Sequence, residues 1–128
     1  MKLLLDTHTF LWFVNNSPGL TTQARDLLED EFNELYLSAA SAWEMAIKSS
    51  MGRLQLPAPV VTFIPTQLQI NDIHWLPIEF AHLGVVETLP FHHKDPFDRL
   101  LVAQSLAEQM PLVSGDPKLD AYGVQRLW

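Results

Sequence analysis

Four of the fifteen acidic residues stand where a carboxylate can do more than face water. Asp6 follows directly on the apolar run Lys2 to Leu5, and Glu44 lies inside "SAASAWEMAIKSSMG", 38–52. Asp98 sits in "HHKDPFDRLLVAQ", 92–104, three residues beyond Asp95 across Pro96, and Asp116 follows "PLVSG", 111–115. Each has an ordinary structural reading. Asp6 can cap a following helix, and Ser41 with Glu44 has the spacing of a reciprocal capping box. Asp95 with Pro96 at the first helical position and Asp98 at the third makes a good helix start, and Asp116 before Pro117 suits a turn. Gathered together, the four have a second use. Carboxylates within a few ångströms of one another repel until one takes up a proton, and a divalent cation removes that conflict. The chain has no cysteine, so any metal is held by oxygen or imidazole. A hard oxygen set favours Mg²⁺, or Mn²⁺, which keeps water ligands and reaches for phosphate.

The elements that must position these acids are legible in the pattern of the chain. Lys2 to Leu5, "LYLS" at 35–38, "HWLPI" at 74–78 and "PLVSG" at 111–115 read as strands. Helical patterns lie between them: 7–15, from Thr21 or Thr22 to about Phe32, 38–52, from Pro59 towards Asn71, 79–89, and 95–109. Strands alternating with helices predict a parallel sheet inside an α/β sandwich, built as one domain over 1–128. Sites in such sheets lie at the carboxyl ends of the strands. Asp6 and Asp116 follow strand ends, and Glu44 is expected in the first turn of the helix after 35–38, on the same edge if the crossovers are right-handed. Asp98 is harder to place because a loop precedes its helix.

Composition excludes several classes. A 128-residue chain that is 48% hydrophobic has enough apolar material for one core, and without cysteine neither a disulfide scaffold nor a zinc finger is available. The leucines after Lys2 superficially suggest a signal peptide, but Asp6 and His8 interrupt them, and no run approaches the ~20 apolar residues of a membrane span. The expectation is a soluble, cytoplasmic protein. A net charge of −7 argues against a general nucleic-acid coat. Even so, Lys48, Lys94, Arg99 and Lys118 flank the candidate acids. Taken one at a time they read as solvated charges and surface pairs such as Glu44 with Lys48. Arg99 has Asp95 and Asp6 as possible partners. His92 and His93 read as surface residues rather than ligands, and His8 as a helix residue beside the site.

"LLLDTHTFLW", "SAASAWEMAIKSSMGRLQL", "LPFHHKDPFDRLLVAQS" and "LVSGDPKLDAYGV" together resemble, in order, the blocks of a PIN-domain protein, specifically of the VapC-type toxins of bacterial toxin–antitoxin pairs. The resemblance covers nearly the whole chain. It implies a PIN-like three-layer α/β/α sandwich and a Mg²⁺-dependent endoribonuclease leaving 5′-phosphate and 3′-hydroxyl ends. It places the family's acidic quartet on Asp6, Glu44, Asp98 and Asp116, with Asp6, Asp98 and Asp116 on the metal and Glu44 on the attacking water. Ser114 falls on the family's serine or threonine, and Asp95 takes a helix-capping or supporting role. It makes Lys48, Lys94, Arg99 and Lys118 candidates for guiding the RNA backbone and His92 and His93 candidates for surface or RNA contact, and it implies a small antitoxin partner and a homodimer. The apolar helix Phe10 to Val14 would then be core or, in part, an interface, with Trp12 and Trp43 lining one groove.

Two other readings remain at this point. An apolar strand ending in Asp also opens haloacid-dehalogenase-type phosphatases, but those need a second Asp two residues on, where His8 stands. A PIN-like module that binds RNA or protein without cutting, or a housekeeping RNA-processing nuclease, would share the same blocks. The proline-rich 57–65 segment departs from the resemblance and leaves the substrate open.

Overall fold

The computed structural model describes all residues, Met1–Trp128. Its central sheet has five strands, all parallel, in the order β3-β2-β1-β4-β5. These are β1 (Lys2–Leu5), β2 (Glu34–Ser38), β3 (Ile73–Leu76), β4 (Leu112–Val113) and β5 (Arg126–Leu127). The helices are α1 (Thr7–Val14), α2 (Thr22–Glu29), α3 (Ala39–Ser50), α4 (Val60–Ile70), α5 (Phe80–Thr88) and α6 (Pro96–Glu108), with a 3₁₀ turn over Pro117–Tyr122.

β1 is the middle strand, and its side chains explain the three layers. Leu3 and Leu5 point into one apolar cluster with Phe10, Ala24, Leu28, Met45, Phe63 and Ile64, from α1 to α4. Leu4 points into the other, with Leu100, Leu101, Leu119 and Tyr122 from α6 and the 3₁₀ turn. A strand covered on both faces needs no polar alternation, which is why the sequence reads "LLL". The chain winds from β1 to β3 with its helices on the first face. It then crosses to β4 on the far side of β1, carrying α5 and α6 on the second, as right-handed crossovers demand. The reversal leaves a crevice at the carboxyl ends of β1 and β4.

The expected sandwich is present, with three local corrections. α2 stops at Glu29, and Phe32 is left in solvent, because Asp30 turns the chain and caps Phe32 N–H with its side chain. β3 ends at Leu76, before Pro77, which has no N–H for a ladder. β5 went unanticipated: Arg126 and Leu127 are too few to show a period, and it is their pairing with Leu112 and Val113 that makes them a strand. In the proline-rich segment Pro59 caps α4 as expected, while Pro65 sits inside the helix on its exposed side.

Candidate active site

The register aligns Leu5 with Leu37 on one side and with Val113 on the other, so Asp6, Ser38 and Ser114 emerge side by side at one edge. Asp6 is buried there. Its N–H donates to Val113 O at 3.1 Å, and its Oδ1 accepts the Thr9 N–H at 2.7 Å as the cap of α1. The capping reading of Asp6 holds, and it spends only one of the two carboxylate oxygens.

Glu44 reaches the same edge from α3, though from the second turn and not the first. The cap of α3 is Ser38, whose Oγ accepts the Ala40 N–H at 2.9 Å, so the Ser41–Glu44 capping box does not form. Glu44 is only 4% exposed. The Thr7 hydroxyl lies 2.6 Å from its Oε1 and 3.0 Å from Ser41 Oγ. With one proton to give, Thr7 donates to the carboxylate and is left to accept from Ser41. Lys48 Nζ holds the other carboxylate oxygen at 2.5 Å.

Asp98 and Asp116 come from opposite ends of the α6–β4 unit. Asp95 caps α6, its Oδ1 accepting the Phe97 N–H at 2.8 Å and the Asp98 N–H at 3.1 Å. Asp95 thus starts the helix whose first turn carries Asp98. Asp116 caps the 3₁₀ turn through Lys118 N at 3.0 Å, and its own N–H donates to buried Ser114 Oγ at 3.1 Å. Ser114 is thereby a positioning residue for Asp116.

Between these two acids stands a residue that sequence reasoning put on the surface. His93 Nε2 is 3.4 Å from Asp98 Oδ2 and 3.7 Å from Asp116 Oδ2. Its Nδ1 accepts the Asp95 N–H at 3.2 Å. In the neutral ring the proton therefore sits on Nε2 and faces the acids. His93 approaches them as a donor, even though the ligating atoms of His93, Asp98 and Asp116 all lie within 4.8 Å of one another. Asp6 is outside that tight group but shares a cleft with Asp116.

The crowding has an electrostatic signature. Burial and the Asp95 carboxylate push the Asp98 carboxyl up to about 7; His93 pulls it down, while Glu44 and Asp6 push it further up. An acid so placed is about half protonated at neutral pH, and a cation beside it would favour its charged form. Hard carboxylate oxygens, no sulfur and a histidine turned as a donor make a set that fits Mg²⁺ or Mn²⁺.

The basic residues separate. Lys94 and Lys118 are exposed beside the acids. Lys48 is committed to Glu44. Arg99 is not placed to touch RNA, nor does it pair with Asp95 or Asp6. It is buried, and its guanidinium donates to the carbonyls of Pro90 at 2.8 Å and Leu89 at 3.3 Å and to Tyr122 Oη at 3.1 Å. The two tryptophans do not share a groove either. Trp43 is exposed on α3 with its ring edge-on to Phe97 at 5.0 Å, while Trp12 lines the cleft that holds Asp6 and Asp116. His8 lies in that cleft as expected, and His92 is exposed with its ring against Tyr122.

Known proteins resemble this chain over most of its length. The sequence pattern described as "PIN domain" matches residues 3–125. Ribonuclease VapC22 of Mycobacterium tuberculosis is 27% identical over 94% of this chain and 91% of its own. Ribonuclease VapC16 of the same organism is 35% identical over 47% of this chain, and that match spans only 43% of VapC16. Among solved structures, VapBC2 from Rickettsia felis bound to a DNA fragment from their promoter superposes with a TM-score of 0.72, at 13% identity, over 99% of this chain and 98% of that one. FitAcB from Neisseria gonorrhoeae gives 0.65 at 17% identity over 98% and 96%. Those two likenesses speak for the fold, and the pattern across residues 3–125 decides the family: the chain belongs to the PIN-domain family.

Proposed function

We propose that this protein is a metal-dependent endoribonuclease that hydrolyses RNA phosphodiester bonds, and that it is the toxin of a toxin–antitoxin pair. The observation that carries the reading is the raised Asp98 carboxyl, crowded by Asp95, Glu44 and Asp6 at the crevice between β1 and β4. A carboxyl crowded by other carboxylates, at the edge where parallel sheets bind ligands, is a group that a bound cation would relieve, as a site for phosphate chemistry needs. The ribonuclease names of the two relatives, VapC22 and VapC16, agree with it.

Asp6, Asp98 and Asp116 would hold Mg²⁺, or Mn²⁺, directly or through water. Bound there, the ion would supply an activated water and neutralise charge developing on the phosphate. Glu44, fixed by Thr7 and Lys48, orients the attacking water and accepts its proton. Ser114 and Asp95 hold Asp116 and Asp98 in place through backbone N–H groups. Lys94 and Lys118 guide the RNA backbone. The likeness to VapBC2 and FitAcB supports a small antitoxin as partner, and the reading extends to a homodimer working in the cytoplasm. No helix is long and apolar enough to cross a membrane.

The test uses purified protein, stripped of any co-purifying partner, incubated with total cellular RNA in Mg²⁺ or EDTA beside an Asp98→Asn variant, with sequencing of new 5′ ends. Discrete metal-dependent cuts that the variant lacks are expected. A folded, Mg²⁺-binding protein that cuts nothing would sink the reading in favour of a binding module.

A further inference from the structure

The cleft that holds Asp6 and Asp116 continues past them. It offers about 470 Å³, within the range of pockets that take small organic groups, and Trp12 and Trp128 line it together with the two acids. The two indoles lie 5.9 Å apart at 49°, and His8 extends the aromatic surface with its ring 5.8 Å from Trp12. Two glycines set the rings in place. A Cβ on Gly19 would stand 2.8 Å from Trp12 Cδ2, and one on Gly115 would stand 2.9 Å from Trp128 Cε2. Backbone packs where any side chain would push an indole into the open space.

We propose that this cleft is a stacking subsite for one unpaired nucleobase beside the scissile phosphate of single-stranded RNA, with Trp128 and Trp12 as its platform. The inference rests on the ribonuclease reading and names how the substrate is held. Its occupant must deliver a bond to Asp6 and Asp116, because the cleft opens on both. No lysine or arginine lines it, so it suits a base and not a phosphate. A chain of net charge −7 with eight basic residues attracts a polyanion weakly, and base–aromatic stacking supplies affinity without charge.

The probes are a dye-labelled (rA)8 and an abasic octamer with the same ribose–phosphate backbone. Both are titrated by anisotropy against Asp98→Asn protein, which keeps the RNA intact. We expect (rA)8 to bind at least about fivefold tighter than the abasic octamer. Adding Trp128→Ala should abolish that preference while leaving abasic affinity unchanged, and Trp128→Phe should keep most of it. Gly19→Ala tests Trp12 without deleting a ring and should lower the preference in part. In otherwise native protein, Trp128→Ala should raise KM for RNA with little change in kcat.

A preference that survives Trp128→Ala, or an equal loss for both octamers, overturns the subsite. So does a Trp128→Ala protein that keeps the preference but sediments as a monomer where the parent is a dimer, since the cleft would then be a protein interface. Native protein that cuts RNA with its base preference indifferent to Trp128 refutes the subsite alone. Native protein that cuts no RNA at all refutes the ribonuclease reading, whatever the octamers show.

Discussion

Asp98 and Arg99 are adjacent in the first turn of α6, and both are ionisable groups withdrawn from solvent, yet their surroundings are opposite in kind. Arg99 reaches towards α5 and is met by acceptors: the carbonyls of Pro90, Leu89 and Val86, the Tyr122 hydroxyl, and the Phe91 ring 4.3 Å from its guanidinium. It fastens the 86–91 connection and the 3₁₀ turn onto α6, with both terminal guanidinium nitrogens engaged by the protein. Asp98 turns to the sheet edge and finds the carboxylates of Asp95, Glu44, Asp6 and Asp116 and a single histidine donor. A buried charge whose partners exhaust it is part of the scaffold. One whose neighbours repel it either takes up a proton or keeps its charge beside a bound cation, so its state depends on what the site holds.

The sharpest way to break that contrast is to neutralise each residue in turn. Asp98→Asn removes the conflicted charge and a proposed metal ligand together. Cleavage should fall by about a hundredfold or more, while the melting temperature of metal-free protein holds or rises. Arg99→Met should do the reverse. It leaves buried acceptors unpaired, at about 1–3 kcal/mol each, so thermal denaturation should show a drop of roughly 10 °C or more. The protein that remains folded should bind Mg²⁺ as before by calorimetry. If Arg99→Met instead lost metal affinity at unchanged stability, the division between scaffold and site would be drawn in the wrong place.

This contrast also shows what could be read from the chain. The three strands β1, β2 and β4 and the helix α6 were legible because burial on both faces leaves continuous apolar runs and because Asp95–Pro96 is a strong start signal. The acids on the β1 and β4 ends followed from the topology alone. Arg99 was misread because its partners are backbone carbonyls and a tyrosine 23 residues away, and carbonyls carry no mark in a sequence. His93 was missed for the same reason, as Tyr122 Oη accepts its N–H across 29 residues and fixes the loop beside the acids. The Thr7 hydroxyl that orients Glu44 spans 37 residues. Short-range patterns place elements, and contacts between distant loops place the last side chains. The one local signal for His93 was its position two residues before a capping aspartate, where its Nδ1 can take that residue's N–H.

A finer test of the same contrast is pH. The Asp98 carboxyl is raised in the folded protein, to about 7, above its value in the unfolded chain. The folded state therefore holds the proton more tightly. Its contribution to stability is fully present in acid, below the unfolded value, and is lost as pH climbs through about 7. In metal-free protein the melting temperature of wild type relative to Asp98→Asn should fall across that window and level off above it. Mg²⁺ at pH 8 should recover stability in wild type and much less in the variant, because a ligand that binds only the folded state stabilises it by mass action. A wild-type and variant pair that stayed parallel from pH 4 to 8 would mean that Asp98 is not under strain.

The smallest expected effect separates the lysines, which the sequence treated alike. Lys48 is half of a pair with Glu44, an arrangement worth little to stability where its lysine meets solvent. Lys94 and Lys118 are exposed with no acid as partner among the ion pairs of the chain, so each is available to a phosphate. Replacing Lys94 or Lys118 by alanine should weaken RNA binding and lower the slope of log affinity against log salt by about one unit each, because each phosphate contact releases about one counterion. Lys48→Ala should leave that slope alone. It loosens Glu44 instead, so its effect should fall on kcat, with Thr7 then the remaining restraint on the carboxylate. A changed salt slope in Lys48→Ala would show that this lysine leaves Glu44 for the RNA backbone when substrate arrives. The scaffold would then end at Arg99, and every other basic residue near the edge would belong to the site.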